Sequence, residues 1–453
     1  MYNKKVCVSV FSRLLKNLTN KMKERNVFMT VLEIINLIFG VLFLLCYAFQ
    51  FAYLVIPFIK KMPPHKEVKM HKYAILVSAR NEENVVGTLF DSIKAQDYPE
   101  DLVKVVLIAD NCTDKTAEVG REKGVIVYER FDTEKIGKGY ALDFALKKLD
   151  EEYGEDAFDA FIVFDADNIL TKNYLTEMNK TFSDGYQVIT AYRNTKNFGA
   201  SWLSASCGVW YLREAKYLNG SRMRIGACPQ VSGTGFLFSN EVKKQNGGWP
   251  FHTLTEDYEF TCDSVVKGMK FGYCETAQFY DEQVSGFRQS WRQRLRWTKG
   301  GLQGFVKYWK PLLSGLFSKK FVACYDMLMS IAPAYLISIA AVVVNAVGAV
   351  WQIAAGVPWQ SVILTVGKML LGAYIILLIQ SVVTVITEWK YIHAHPAMKV
   401  LSAFTFPIFI MSFIPICFQA LFMKVEWKPI KHTSVDEGEA NSFVDSEKKK
   451  GCD

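Results

Sequence analysis

Acidic residues recur just beyond three short apolar stretches. Asp165-Ala166-Asp167-Asn168 follows 161–164, Asp110-Asn111-Cys112-Thr113-Asp114 follows 103–109, and Ser78-Ala79-Arg80-Asn81-Glu82 closes 73–78. A single Asp after a strand usually caps a helix or shapes a turn. Three such runs meeting in one crevice are different, because crowded carboxylates repel unless a cation or hydrogen-bond donors stand between them. Asp165 and Asp167 offer the oxygen-only donors that a hard divalent ion such as Mg²⁺ or Mn²⁺ takes, with phosphate and water as its further ligands. Lys138, in Gly137-Lys138-Gly139-Tyr140, opens a helix from a glycine-flanked turn. It reads either as an ammonium facing phosphate beside main-chain N–H groups or as a solvated surface lysine. No Gly-x-x-x-x-Gly-Lys-Ser/Thr phosphate loop occurs.

The elements that must position these groups alternate. Strand patterns at 73–78, 103–109 and 161–164 are interleaved with helical patterns at 85–95 and 116–123. This alternation predicts an α/β domain with a mostly parallel sheet, whose ligands lie beyond the carboxyl ends of the strands. The 453 residues are 50% hydrophobic and 22% charged, yet the two classes are segregated. Charges concentrate in the middle. Apolar runs at 27–59, 321–353, 362–387 and 398–422 are each long enough to cross a bilayer.

The expected organisation is therefore a basic amphipathic segment (1–26), a transmembrane helix (27–59), a cytosolic domain (60–286), interfacial amphipathic helices (287–320), about three further membrane helices (321–422) and a polar tail (423–453). The tail from Ser434 onward reads as disordered, and Glu426-Trp427-Lys428-Pro429-Ile430 as a peptide that folds back onto the domain if it is cytosolic. One span before the domain and three after it would leave both basic tails outside, against the positive-inside tendency, so one run is a hairpin or fails to cross. The net charge of +8 gathers beside the apolar runs, which points to the lipid bilayer as partner and away from nucleic acid. The ten cysteines show no framework spacing and read as reduced thiols.

The ordered set Asp110, Lys138, Asp165-Ala166-Asp167, Thr255-Glu256-Asp257 and Gln293-Arg294-Leu295-Arg296-Trp297 resembles the processive inverting glycosyltransferases of family 2, the group of cellulose, hyaluronan, chitin-oligosaccharide and poly-N-acetylglucosamine synthases. The resemblance covers about 73–308 and implies a nucleotide-sugar transferase domain of the GT-A type. It also implies roles. Asp110 would contact uracil, with Glu82 in the same nucleotide site. Lys138, Asp165, Gln293 and Arg296 would serve the diphosphate, and Asp167, with Asp165, the metal. Asp257, with Glu256 beside it, would be the base that takes the proton of an attacking acceptor hydroxyl.

Trp297 reads as a sugar platform at the acceptor or as an interface anchor like Trp291 and Trp309. Gly233 and Thr234, in Gln230-Val231-Ser232-Gly233-Thr234-Gly235, read as part of an acceptor loop or as a plain tight turn. The expected activity is metal-dependent polymerisation of UDP-glucose or UDP-N-acetylglucosamine onto a carbohydrate acceptor, with extrusion of a β-linked polysaccharide from a multi-pass protein of the cell membrane. The alternative is transfer of one or a few sugars to a membrane lipid.

Overall fold

The computed structural model describes residues 3–330, 332–425, 432 and 437–446. Eight strands, β1 (Tyr73–Ala79), β2 (Val103–Asp110), β3 (Ile126–Arg130), β4 (Ala160–Asp165), β5 (Ile169–Leu170), β6 (Val188–Thr195), β7 (Phe236–Ser239) and β8 (Phe271–Asp281), form one sheet in the order β3-β2-β1-β4-β7-β6-β8-β5. The first four are parallel neighbours, whereas β7 runs antiparallel to both β4 and β6, and β8 lies parallel to β6. The sheet is thus mixed where the sequence pattern predicts a mostly parallel one. The short β7 enters between β4 and β6 from the irregular segment 227–235, whose Gly235 N–H donates to the Val163 carbonyl of β4 at 2.9 Å at the start of the antiparallel pairing.

Both faces of the sheet are covered, which is why its strands read as unbroken apolar runs. Along β1 the alternation is strict: Ala74 and Leu76 enter one core with Trp249, Phe238 and Phe260, while Tyr73, Ile75 and Val77 enter the other with Phe90, Phe164 and Phe279.

Helix α1 (Asn3–Ile59) runs without a break through the basic segment and the first apolar run, where the sequence suggests two pieces. Interleaved with the strands up to β6 follow α2 (Val86–Lys94), α3 (Thr116–Glu122), α4 (Lys138–Tyr153) and α5 (Tyr174–Ser183). Next come α6 (Trp202–Arg213), a π-helical turn (Glu214–Asn219) and α7 (Gly220–Ile225), which form one continuous rod, and then α8 (Asn240–Asn246) and α9 (Glu256–Lys267). The C-terminal part holds α10 (Phe287–Gly315), α11 (Phe321–Met329), α12 (Ala332–Ala354), α13 (Trp359–Thr387), α14 (Pro396–Met411), α15 (Phe413–Phe422) and α16 (Glu437–Val444).

Among the described residues four helical stretches, 29–59, 321–354, 359–387 and 396–422, are long and apolar enough to cross a membrane. Two of the expected spans are nevertheless subdivided. The first nine residues of 321–353 form α11, whose Cys324, Met327 and Leu328 sit in the core beside Phe260 and Tyr308. Its Asp326 makes a buried two-pronged ion pair with Arg222 at 2.6 and 2.8 Å. The run 398–422 is α14 and α15, interrupted at Ser412. The tail expectation is corrected as well. Residues 437–444 are helical, with Phe443 buried against Tyr280 and Ile169, because one aromatic side chain finds a socket at the β5 edge. The peptide 426–430, and 434–436 and 447–453 of the tail, lie outside the described residues.

The chain divides into two compact units, Met1–Phe49 with Pro333–Ile376, and Gln50–Ala332 with Leu377–Asp453. In the first, the amides of Asn36 and Asn345 donate to each other at 3.0 and 2.8 Å, a polar fastening between apolar helices. The second contains the whole sheet and every residue discussed below.

Candidate active site

The strand ends supply one wall of the site. β1 and β2 both stop at an asparagine in the left-handed region, Asn81 (φ 60°) and Asn111 (φ 54°). Asparagine tolerates that region and bonds locally, and each here ties down the neighbouring loop. Asn81 Oδ1 accepts from the Thr113 N–H at 2.8 Å, and Asn111 Oδ1 from the Asp132 N–H at 2.9 Å. Asp110 closes β2 almost fully buried, with Oδ1 2.6 Å from Arg130 Nη1. Burial pushes its carboxyl up, and Arg130 draws it back. Arg130, which the sequence does not flag, thus orients Asp110 and opposes the effect of its burial.

Asp165 ends β4, and Lys138, the first residue of α4, reaches across with its ammonium. Nζ pairs with Asp165 and donates to the Gly233 carbonyl at 2.8 Å. Gly139 is what lets α4 start here: a Cβ at this position would lie 2.0 Å from the Phe251 carbonyl oxygen. Asp167 is 4% exposed and accepts from the Glu282 N–H at 2.8 Å, while Lys196 Nζ donates to its main-chain oxygen at 2.9 Å. Burial alone would raise the Asp167 carboxyl, but the cations His432 and Lys196, with the Glu282 N–H, more than offset it and hold the group below the usual range.

His432, which the sequence does not single out, reaches the acidic corner. Its Nδ1 lies 3.1 and 3.0 Å from the two oxygens of Glu82, and Glu82 in turn is raised by burial. Burial opposes charging of the imidazole, yet Asp167 and Glu82 carry it up to about 10. That upward pull measures how strongly this corner demands positive charge. The oxygen donors available to a divalent ion are the carboxylates of Asp165, Asp167 and Glu82, with the His432 imidazolium beside them as a counter-charge. Among the described residues no three such donors close around one point. This suits a hard ion that takes its remaining ligands from phosphate and water.

The opposite wall comes from α9 and α10. Glu256 and Asp257 occupy the first turn of α9, where the helix dipole favours negative charge. Asp257 Oδ2 is 3.6 Å from where a Cβ on Gly233 would stand, so base candidate and loop are in direct apposition. Burial, and then each other's charge, push Glu256 up to about 7; burial also raises Asp257, against the pull of Lys138 and Arg296. Arg296 is brought near by close helix packing. Gly300 lies so near α9 that a Cβ would stand 2.5 Å from Thr255 Oγ1, and at Gly304 one would stand 2.7 Å from Tyr258. The small-x-x-x-small spacing therefore sets α10 against the Thr-Glu-Asp turn. Arg296 Nη1 also donates to the Leu254 carbonyl at 3.4 Å.

Gln293 and Trp297 stand half-buried on the same helix, and nothing in the contacts of Trp297 decides between platform and anchor. Trp291, read as an anchor, donates its indole N–H to Gln419 Oε1 at 2.7 Å. His252, a packing residue by its type, stacks on Tyr140 with ring centres 4.0 Å apart. Gly233 (φ 77°) and Thr234 lie between the two walls, with Thr234 Oγ1 bonded to Asn168 and accepting from the Asp165 N–H at 2.9 Å.

The structure thus gathers Asp165, Lys138, Gly233, Thr234, Glu256, Asp257 and Arg296 around one crevice, with Asp167, Glu82 and His432 at one side.

The chain is similar in sequence and fold to known glycosyltransferases. The family described as "Glycosyltransferase like family 2" matches residues 71–300, about half of the chain. A β-monoglucosyldiacylglycerol synthase from Nostoc sp. is 28% identical over 276 residues, covering 58% of this chain and 56% of that protein. The poly-β-1,6-N-acetyl-D-glucosamine synthase of Staphylococcus epidermidis is 23% identical over 294 residues, covering 62% and 68%. The chain spans about half the length of the glucosyldiacylglycerol synthases it matches. Among solved structures, the mannosyltransferase PcManGT of Pyrobaculum calidifontis, in complex with GDP-Man and Mn²⁺, superposes over 85% of this chain and 99% of its own with a TM-score of 0.54. At 15% identity this similarity speaks for the fold.

Proposed function

The chain belongs to the glycosyltransferase-like family 2, and from that premise we propose that it transfers a sugar from a UDP-sugar, with inversion, to a hydroxyl acceptor presented at the membrane surface. The observation that carries this reading is the position of Asp257 beside Gly233, across Lys138 from Asp165. A diphosphate held near Asp165 and Asp167 would leave as an anion, and Lys138 and Arg296 are the cations placed to receive its charge. Asp257, raised toward neutrality by burial, suits a general base for a hydroxyl arriving from the opposite wall. One carboxylate then suffices, because inversion needs no covalent sugar intermediate.

The carboxylates Asp165 and Asp167 would hold Mg²⁺ or Mn²⁺ together with phosphate and water oxygens, and such an ion would neutralise the diphosphate. Glu82 and Arg130-held Asp110 stand where a nucleoside would lie over the strand ends.

Of the two acceptor classes, a membrane lipid is favoured. The candidate spans 29–59 and 321–354 are only 6% buried, which leaves their apolar sides open to lipid. The glucosyldiacylglycerol synthases among the relatives point the same way. Polymerisation is the second reading, supported by the poly-N-acetylglucosamine synthase relative and by the Gln-x-x-Arg-Trp run. Incubating the purified protein with UDP-[³H]glucose or UDP-[³H]N-acetylglucosamine, Mn²⁺ and dioleoylglycerol separates them. Label in a chloroform-soluble glycolipid supports the first reading; label in extraction-resistant polymer overturns it for the second.

The position of the tail supports one parity of crossings. His432 and α16 pack on the same unit as Asp281, so the chain between them crosses the bilayer an even number of times. With α12 and α13 as crossings, α14 and α15 lie along the interface. A protease site inserted after Asp445 should then be cut only from the side that carries the catalytic domain, and cleavage from the other side would contradict this topology.

A further inference from the structure

Between the two walls the segment Gln230–Gly235 follows no regular structure, yet its polar groups are pinned one after another. Asn219 takes both main-chain groups of Gln230, accepting from its N–H at 2.8 Å and donating to its carbonyl at 3.1 Å. Arg193 Nη1 donates to the Ser232 carbonyl at 2.7 Å, and the Ser232 hydroxyl donates to Glu214. Arg193 is itself held by Asp281.

Glu214 and Asn219 are the first and last residues of the π-helical turn. Five residues apart on an α-helix they would point about 140° away from each other, at 3.6 residues per turn. A π turn, with hydrogen bonds from i to i+5, brings such a pair onto nearly the same line. The widened turn is therefore what allows one helix to hold the loop at two places.

We propose that this π turn is a clamp for the acceptor loop, and that Glu214, Asn219 and Arg193 are positioning residues that fix Gly233 opposite Asp257. The clamp is anchored in turn. Asn219 Oδ1 also accepts from Arg222 Nη1 at 3.0 Å, and Arg222 is locked to the buried Asp326, which receives the Tyr53 hydroxyl at 3.0 Å. A chain of bonds thus runs from α1 and α11 into the loop. Lys138 touches the loop from the donor side, through the Gly233 carbonyl. The clamp holds it from behind, so the loop's position relative to the donor is set by groups that touch neither substrate.

This inference rests on the reading of 230–235 as the acceptor loop. The test compares Glu214→Ala, Glu214→Gln, Asn219→Ala, Ser232→Ala and Gly233→Ala in steady-state transfer from UDP-glucose and UDP-N-acetylglucosamine. Dioleoylglycerol in micelles and a β-linked N-acetylglucosamine pentamer serve as acceptor probes. Losing the single Glu214–Ser232 bond should raise the acceptor KM about tenfold in Glu214→Ala and Ser232→Ala, and losing both bonds to Gln230 should raise it at least as much in Asn219→Ala. The donor KM and donor hydrolysis without acceptor should stay unchanged. Glu214→Gln, which still accepts from Ser232, should restore the acceptor KM.

Equal loss of donor and acceptor KM, no change in either, or a Gln variant as impaired as the Ala variant overturns the clamp. Gly233→Ala separates the two layers of the argument. If it raises the acceptor KM while the clamp variants are silent, the clamp alone fails; if it too is silent, the acceptor-loop reading falls and the clamp with it.

Discussion

The two halves of the sheet position chemistry in different ways. In β3-β2-β1-β4 the registers are unbroken and parallel, and the reactive side chains stand at strand ends because the backbone delivers them there. In β7-β6-β8-β5 the directions are mixed and the β6–β8 register shifts between Ala191 and Tyr192. There the loop before β7 is placed by side chains from a π turn, by Arg193 and by Lys138. On the proposed function, the nucleotide would be met by regular backbone, and the acceptor by a loop whose shape depends on a few hydrogen bonds.

That comparison can be broken at several points. The largest effect is expected at the metal corner: Asp167→Ala should lower turnover about a thousandfold, as removal of preorganised charge does at such sites, and abolish the Mn²⁺ dependence of UDP binding seen by calorimetry. A Mn²⁺ dependence that survives would move the ion elsewhere. Gly300→Ala tests the packing of α10. Its methyl group would stand 2.5 Å from Thr255, forcing α10 off α9, and a shift near an ångström at Arg296 should cost about a hundredfold in kcat. Donor affinity should fall less than kcat, because Asp110 and Glu82 lie on the other half while Arg296 serves the charge that develops on the diphosphate.

Smaller still is the pH effect. The base must be ionised, so kcat should fall as pH drops through the raised range of the Glu256–Asp257 pair, near 7 for Glu256. Glu256→Gln removes the neighbouring charge and should move that acid limb down by about one pH unit. An unmoved limb would mean that the pair does not govern the step. The smallest change is predicted for Arg130→Lys, which keeps a cation on Asp110 but loses the fork to Asp132 and the Lys135 carbonyl. The dissociation constant for UDP should rise about fivefold with kcat intact, since one charge-assisted bond in the nucleotide half is weakened.

The same contrast explains what the sequence disclosed. Strand ends at Asp110 and Asp165 were legible because apolar runs of fixed period announce the strands, and the chemistry sits in the next residue. Glu256, Asp257 and Arg296 were legible through motif spacing, and the crevice gathers them. His432 was not, because its partner Glu82 lies 350 residues away and one histidine in a polar tail carries no pattern. The π turn was equally hidden: Glu214-Ala215-Lys216-Tyr217-Leu218-Asn219 has an ordinary helical composition, and only the bonds to 230 and 232 reveal the widened geometry. The docking of α16 depends on a single aromatic, Phe443, meeting Tyr280 at 4.5 Å between ring centres. Hydropathy located the apolar runs but could not divide them, since α11 is as apolar as a span and differs only in what Asp326 finds to bond.

Asp257→Asn bears most directly on the division of labour between the two walls. UDP affinity measured by calorimetry with Mn²⁺ should stay within about twofold of the parent protein, while single-turnover transfer should fall by more than about a thousandfold, because a general base acts only in the transition state. A parallel loss of UDP affinity, or transfer that persists, would contradict the placement of the base on the acceptor wall.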